Sequence, residues 1–262
     1  MKFSRTACAL TTVLMLASGA ALADDSYVVG ALGDSITAGF NALRLGDNRE
    51  LSWSTGSADA INSHAKRLSA QGKAVTAFNE SIAGSVVADL ERQVTRILTK
   101  NPDYVTIDIG ANDVCTWGAV YEAQLQAYQT TLRAQIARLI QARPTIKVVL
   151  APVPDIHNLW QVAVQQQGCQ ARWDLIGMCK PLLASSASDA DRGAFVTRWQ
   201  AINDVIDQVA KEFPANVLHD PGLAHTQFTW DDVSPMDCFH PSVAGQNLLA
   251  EKSWEMVQRL GL

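Results

Sequence analysis

The feature that most constrains the fold of this chain is the alternation of short β-branched runs with longer segments of helical periodicity. The runs occupy residues 27–34, 74–79, 104–109, 146–151 and 216–219. They are apolar without strict alternation, which is typical of parallel strands that are covered on both faces. The sequence therefore predicts an α/β fold with a five-stranded parallel sheet and right-handed crossovers.

The segments between the runs carry apolar stripes at helical spacing. Three of them lie within residues 86–98, 125–140 and 195–209, and we expect a last helix to begin at Pro241 and to run to Leu260. Two connections, residues 40–56 and 155–192, are too long for simple turns. Long connections in compact domains often form lids or binding loops, so we expect both to border a functional site.

The amino terminus has the pattern of an export signal. Lys2 and Arg5 precede a short apolar stretch, and Ala21-Leu22-Ala23 supplies the small residues at which signal peptidase cleaves. We therefore expect residues 1–23 to be a signal peptide and residues 24–262 to be one exported domain, periplasmic or secreted. No later segment is long and apolar enough to span a bilayer, so we expect no integral membrane segment in the mature chain.

The charge balance and the cysteines narrow the classes of partner. Cleavage after residue 23 leaves 19 basic and 26 acidic residues, a balance that argues against nucleic-acid binding. The four remaining cysteines are Cys115, Cys169, Cys179 and Cys238, and an even number in an exported chain favours two disulfides. The sequence has no CxxC pair and no histidines at ligand spacing from these cysteines, so we expect no metal and no cofactor.

Four short polar blocks follow the predicted strands. They contain Ser35 in Gly33-Asp34-Ser35, Gly84 after the second strand, Asn112 in Gly110-Ala111-Asn112-Asp113, and the pair Asp237 and His240. Each block alone has a structural interpretation: a helix-capping serine, a loop glycine, a turn asparagine, and an accidental surface pair.

Together the four blocks predict an active site. If the strand order is 2-1-3-4-5, Ser35, Gly84 and Asn112 become neighbours at the carboxyl edge of the sheet, where parallel sheets bind ligands. A serine hydroxyl needs a base to become nucleophilic, and His240 oriented by Asp237 provides one. The Gly84 N–H and the Asn112 amide are then placed to stabilise an oxyanion.

These blocks resemble the SGNH (GDSL-type) hydrolases in order and spacing, over nearly the whole mature chain. The resemblance implies a flavodoxin-like three-layer α/β/α sandwich and hydrolysis of carboxylic esters through an acyl-enzyme. It implies Ser35 as nucleophile, His240 as general base and Asp237 as its orienting residue. Ser35, Gly84 and Asn112 are implied as the oxyanion hole.

Further segments resemble the phospholipase B-like branch of these hydrolases. They are Phe40-Asn41-Ala42, residues 51–56, Asn112-Asp113-Val114-Cys115 and Asp237-Cys238-Phe239-His240. Four cysteines allow three pairings. If the loops of Asn112 and His240 border one site, a Cys115–Cys238 bridge holds them in register, and Cys169–Cys179 closes a small loop; we expect this pairing.

The substrate is left open by the sequence. The long connection carries large apolar residues, namely Leu159, Trp160, Trp173, Leu175, Ile176 and Met178. They fit an acyl-chain groove of a lipase or phospholipase, while Trp53, Trp160 and Trp173 equally fit sugar stacking in a carbohydrate O-deacetylase. Burial as the core of the connection is the third interpretation, and a noncatalytic surface-binding protein on the same fold is an alternative of another class. We expect a monomer acting on a small-molecule or lipid ester.

Overall fold

A computed structural model describes residues 26–118 and 120–260 of the chain. Five strands form one parallel sheet: β1 (Ser26–Gly33), β2 (Ala74–Asn79), β3 (Tyr104–Asp108), β4 (Lys147–Leu150) and β5 (Val217–Leu218). The strand order is β2-β1-β3-β4-β5, which confirms the predicted order. The last two strands are shorter than their apolar runs.

The helices occupy the connections between the strands and the end of the chain. They are α1 (His64–Ala70), α2 (Leu90–Leu98), α3 (Ala111–Thr116), α4 (Glu122–Ala142), α5 (Ile156–Ala163), α6 (Cys169–Ile176), α7 (Lys180–Leu183), α8 (Asp189–Lys211) and α9 (Val243–Arg259). The prediction that the last helix begins at Pro241 is wrong. Pro241 instead forms an isolated bridge with Val233, and the Ser242 hydroxyl caps α9 by accepting from the Gly245 N–H.

The strands bury both faces, as their uninterrupted apolar character predicts. On β4, Val148 and Leu150 pack into the core beneath α2, α4 and α8, while Val149 between them packs on the other face with α1 and α9. Side chains that alternate between two buried faces require helices on both sides of the sheet. The fold is therefore a three-layer α/β/α sandwich, in agreement with the prediction.

The carboxyl ends of the strands lie at one edge of the sheet because all the strands are parallel. The loops after β1, β2, β3 and β4 leave from that edge, and α9 follows the loop that carries His240. The predicted signal peptide lies outside the described residues. Among the helices of the described part, none is long and apolar enough to cross a membrane.

Candidate active site

Ser35 lies in a tight turn directly after β1. Gly33 adopts a φ of 146°, and a Cβ there would lie 2.2 Å from the Asp108 carbonyl oxygen of the neighbouring strand β3, so no other residue fits. The Asp34 carboxylate accepts from the Ile36 N–H at 2.9 Å, and the Phe40 N–H donates to the Ser35 carbonyl at 2.9 Å. These bonds fix Ser35 at the carboxyl edge of the sheet, where the residue is 8% exposed.

The Ser35 hydroxyl is hydrogen-bonded to the predicted base. Its Oγ lies 2.8 Å from Nε2 of His240, and Nδ1 of His240 lies 2.6 Å from Oδ2 of Asp237. Because an ionised carboxylate only accepts, Nδ1 carries a proton and Nε2 of the neutral ring accepts from the serine. The structure thus brings together the three side chains predicted from the sequence in the arrangement of nucleophile, base and orienting carboxylate.

Asp237 is held by several donors in a buried position. Its Oδ1 accepts from the backbone N–H groups of Phe239 and His240, each at 2.9 Å, and its Oδ2 accepts from Nδ2 of Asn41 at 2.6 Å as well as from His240. Burial acts to raise the pKa of Asp237, but the hydrogen bonds and the charge of His240 outweigh it, so the pKa lies below its usual value. The carboxylate therefore stays ionised beside the imidazole.

Asn112 lies in the first turn of α3, next to the loop that carries Gly84. Its Nδ2 donates to the Ser85 carbonyl at 2.9 Å and lies 3.4 Å from Oδ2 of Asp34. The first bond orients the amide, whereas the second contact is long and leaves that N–H available for a substrate oxygen. Gly84 has a φ of 82°, and its loop is fixed beside β1 by the Ile82 N–H, which donates to the Gly33 carbonyl at 3.1 Å.

Two buried aspartates beside the predicted catalytic residues have raised pKa values. Burial raises the pKa of Asp34 to about 6, against the opposing effects of the Ile36 N–H and of His240. Burial also raises the pKa of Asp113 to about 7, even though Val87 donates its backbone N–H to this carboxylate at 3.0 Å. Asp113 is thus close to half-protonated near neutral pH, whereas Asp34 is mostly ionised there and takes up its proton in mildly acidic solution. The sequence alone assigned neither residue a firm role.

The predicted disulfide pairing is wrong. The bridges are Cys115–Cys179 and Cys169–Cys238. Each cysteine of the expected local pair is bonded to a partner outside the connection, and most of the residues between Cys169 and Cys179 form the helix α6, which extends about 1.5 Å per residue.

Both bridges instead join the connection after β4 to the catalytic loops. Nε1 of Trp173 donates to the Asp237 carbonyl at 3.1 Å, and Arg172 donates to the Pro235 carbonyl at 2.5 Å, which places α6 against the loop of His240. Cys115 lies at the end of α3, three residues after Asn112, and its bridge holds α7 nearby. The connection is therefore fastened to both sides of the site.

The large apolar residues of the long connections separate into two groups. Trp53 and Trp173 are each only 1% exposed and Leu159 is 3% exposed, so these three belong to the core. Trp160 is half-buried under the Arg192 guanidinium. Leu175 and Ile176 at the end of α6 project into solvent.

Most of the exposed apolar side chains belong to connections that leave the carboxyl edge of the sheet. Of the six exposed large apolar side chains in the described residues, three lie in loops of the connections after β1 and β3 and two at the end of α6 in the connection after β4: Leu43, Leu45, Val120, Leu175 and Ile176. The sixth, Leu260, follows α9 at the opposite end of the molecule. We call the first five the apolar rim.

Comparison with known proteins places these features in a family. Residues 31–248 match the profile of the GDSL-like lipase/acylhydrolase family. An acetylxylan esterase of Geobacillus stearothermophilus is 26% identical over 182 residues, which cover 67% of this chain and 69% of that protein.

Solved structures share the fold at low sequence identity. A lipase/acylhydrolase from Enterococcus faecalis superposes with a TM-score of 0.54 at 20% identity, covering 88% of this chain and 96% of its own. Phospholipase A1 from Streptomyces albidoflavus superposes with a TM-score of 0.50 at 16% identity, covering 88% and 98%. At such identities the likeness concerns the fold alone.

Proposed function

The chain belongs to the GDSL-like lipase/acylhydrolase family and is a carboxylic ester hydrolase, and from this premise we propose that it is an exported serine esterase acting through an acyl-enzyme on Ser35. The observation that carries the proposal is the 2.8 Å contact between Oγ of Ser35 and Nε2 of His240, whose Nδ1 is held by Asp237. The same arrangement speaks against a noncatalytic binding role, because a surface-binding protein has no need of an oriented base.

The proposed reaction has two stages. Oγ of Ser35 attacks the ester carbonyl carbon while Nε2 of His240 takes the hydroxyl proton, and Asp237 stabilises the imidazolium that forms. The carbonyl oxygen becomes an oxyanion, for which the Asn112 amide and the backbone N–H groups of Ser35 and Gly84 are the proposed donors.

The intermediate then collapses. The bond to the alcohol oxygen breaks, and His240 returns the proton to that oxygen, which leaves an acyl group on Ser35. A water molecule gives one proton to Nε2 of His240 as its oxygen attacks the acyl carbon. The bond between that carbon and Oγ of Ser35 then breaks, His240 returns the proton to Oγ, and the carboxylic acid leaves.

For the substrate we propose an ester with an apolar acyl chain. Apolar side chains in water are stabilised by contact with apolar surface, and the apolar rim offers such a surface on connections that leave the same edge of the sheet as Ser35. The loop of Leu43 and Leu45 contacts the catalytic loop through Asn41, while the helix that ends at Leu175 and Ile176 contacts it through Trp173. Trp53 and Trp173 are too buried to stack on a sugar ring. Membership of the phospholipase B-like branch is part of this proposal.

The test is hydrolysis of p-nitrophenyl esters from acetyl to palmitoyl by the wild type and by Ser35→Ala. We expect activity on several esters in the wild type, an optimum beyond acetyl, and loss of nearly all activity in the mutant. Leu175→Ser with Ile176→Ser is expected to lower the activity on long chains and to spare acetyl, while Leu260→Ser serves as the matched control. Activity that persists in Ser35→Ala would refute the acyl-enzyme proposal.

A carbohydrate O-deacetylase is the second candidate. The acetylxylan esterase relative favours it, because that protein is similar over two thirds of both chains. Release of acetate from acetylated xylan, with p-nitrophenyl acetate preferred over all longer esters, would support this candidate over an acyl-chain esterase.

Export is also a proposal. Two disulfides fit an oxidising compartment, the periplasm or the outside of the cell. Mass spectrometry of the exported protein is expected to find a chain that begins at Asp24; an exported chain that retains residues 1–23 would contradict cleavage.

A further inference from the structure

Asn41 lies outside the motif blocks that define the proposed catalytic residues, yet its side chain contacts the carboxylate that orients the base. Nδ2 of Asn41 donates to Oδ2 of Asp237 at 2.6 Å, and the same oxygen accepts from Nδ1 of His240 at 2.6 Å. Asn41 is only 6% exposed, so water does not compete for this bond. We propose that Asn41 is a positioning residue. It holds Asp237 in the position from which Asp237 orients the His240 ring and stabilises its protonated form. The proposal rests on the roles given above to Asp237 and His240.

The orientation of the Asn41 amide follows from its two partners. Oδ1 accepts from the Gly46 N–H at 2.8 Å, so Nδ2 is the atom that faces Asp237. A carboxylate only accepts and a backbone N–H only donates, so the reversed amide would set acceptor against acceptor and donor against donor. The site therefore admits one orientation, in which the amide bridges a loop N–H and the catalytic carboxylate.

The backbone conformation and backbone hydrogen bonds of Asn41 also hold this residue between the two loops. Its φ of 55° is in the left-handed region, which asparagine tolerates better than most residues. Its N–H donates to the Gly46 carbonyl at 2.8 Å, and its carbonyl accepts from Oγ of Ser234 at 2.5 Å. Asn41 is six residues from Ser35, and Ser234 lies in the loop of Asp237, so one residue connects the turn of the nucleophile to the loop of the base.

The electrostatic balance of Asp237 depends on this bond. Burial acts to raise the pKa of Asp237, and the Asn41 amide is one of the groups that lower it. In a buried site a missing donor leaves the carboxylate with less stabilisation than water would give it. The contact of Ser35 with His240 is then expected to loosen, since Asp237 holds the ring.

The first test deletes the amide without straining the backbone. Asn41→Gly suits a positive φ, and we expect kcat on p-nitrophenyl acetate to fall roughly 10- to 100-fold, the range for a hydrogen bond to a charged group. KM is expected to stay near the wild-type value because the amide does not touch substrate. The control is Asn216→Ala, which removes an amide bonded to the carbonyls of Pro144 and Ile146, away from Asn41 and Asp237.

A second variant reports on the donor itself. In Asn41→Asp, a protonated carboxyl at this position donates to Asp237 as the amide does, whereas two carboxylates repel each other. We expect the pH profile of kcat to gain a fall on its alkaline side that the wild type lacks, or activity to be low throughout. A side chain that only fills space would not change the profile, so wild-type activity across the alkaline range in Asn41→Asp would overturn the proposal.

A spectroscopic measurement separates this proposal from the esterase proposal. The proton on Nδ1 of His240 gives a downfield NMR resonance when it is held by Asp237, and no substrate is needed to observe it. We expect that resonance to shift or disappear in Asn41→Gly and to remain in Asn216→Ala. If the wild type hydrolyses no ester while the resonance responds in this way, the esterase proposal fails and the positioning role stands; an unchanged resonance in folded Asn41→Gly overturns the positioning role.

Discussion

At the scale of single residues, the site is defined by the groups that hold each proposed catalytic side chain in place. The Asn112 amide is an example. Its Nδ2 donates one hydrogen bond to the Ser85 carbonyl at 2.9 Å, and this bond directs the other N–H toward the turn of Ser35. A preorganised donor of this kind stabilises the developing oxyanion without reorganising at the moment of reaction. Ser85, which follows Gly84 in the chain, supplies this orienting carbonyl.

Asn112→Ala is expected to lower kcat by about 10²- to 10³-fold, the usual cost of losing one oxyanion donor. KM for p-nitrophenyl acetate should change much less, because the bond strengthens as charge develops on the carbonyl oxygen. Steady-state kinetics on the folded variant measures both. Asn247→Ala, which removes an amide of α9 bonded to the Ala60 carbonyl, is the control. An unchanged kcat in Asn112→Ala would remove this residue from the oxyanion hole.

At the scale of elements, the loops after β2 and β3 are connected by a buried carboxylate. Asp113 in α3 accepts from the Val87 N–H, where the chain enters the 3-10 turn before α2. Burial and the nearby Asp34 raise the pKa of Asp113 to about 7. When Asp113 is ionised, its hydrogen bond with the Val87 N–H therefore requires the carboxylate charge to stay out of water. The element contact thus depends on pH.

Asp113→Asn is expected to gain stability over the wild type as pH rises. The folded state holds the Asp113 proton up to a pH of about 7, whereas the unfolded chain releases it near 3.8. The contribution of this group to the free energy of unfolding of the wild type therefore decreases as pH rises from 3.8 to about 7. Urea unfolding at pH 5 and pH 8 should show a larger advantage of the variant at pH 8, by at most about 3 kcal/mol. The exposed Asp59→Asn is the control, and an equal advantage at both pH values would contradict the assignment.

The sequence predicted those elements whose placement follows from local pattern. Ser35, Asn112 and the loop of Gly84 come directly after strands, so the sheet order alone brings them together at one edge. Asn41 gave no such signal: its amide reaches a residue 196 positions away, and only the packing of two loops creates that contact. The start of α9 was misplaced by two residues because Ser242, rather than Pro241, supplies the cap.

At the scale of the whole molecule, two covalent bridges fasten the connection after β4 to the catalytic loops. The pairing was predicted wrongly because the loops of Asn112 and His240 were expected to be bridged directly to each other, whereas each is bridged to the connection after β4. The identity of the four bonded cysteines was predicted correctly, since the even number that remains after the predicted signal peptide is informative without any geometry.

Removing either bridge is expected to destabilise the fold by a similar amount, about 2–4 kcal/mol, because the closed loops are alike in length. The kinetic effects should differ. Cys169→Ser with Cys238→Ser frees the residue next to Asp237 and is expected to lower kcat more than Cys115→Ser with Cys179→Ser. Urea unfolding and ester hydrolysis measure the two effects, and equal kcat in both double variants would show that Cys238 does not constrain the catalytic loop.

The order of the bridged cysteines along the chain has a consequence for the covalent integrity of the enzyme. The bridges Cys115–Cys179 and Cys169–Cys238 overlap in sequence, so the two loops that they close share residues 169–179. A single peptide-bond cleavage anywhere between residues 115 and 238 leaves at least one bridge joining the two fragments, and a cleavage between 169 and 179 leaves both. In the proposed exported protein, which meets proteases that cleave exposed loops, a molecule nicked in this range would keep Ser35 and His240 in one covalently linked molecule.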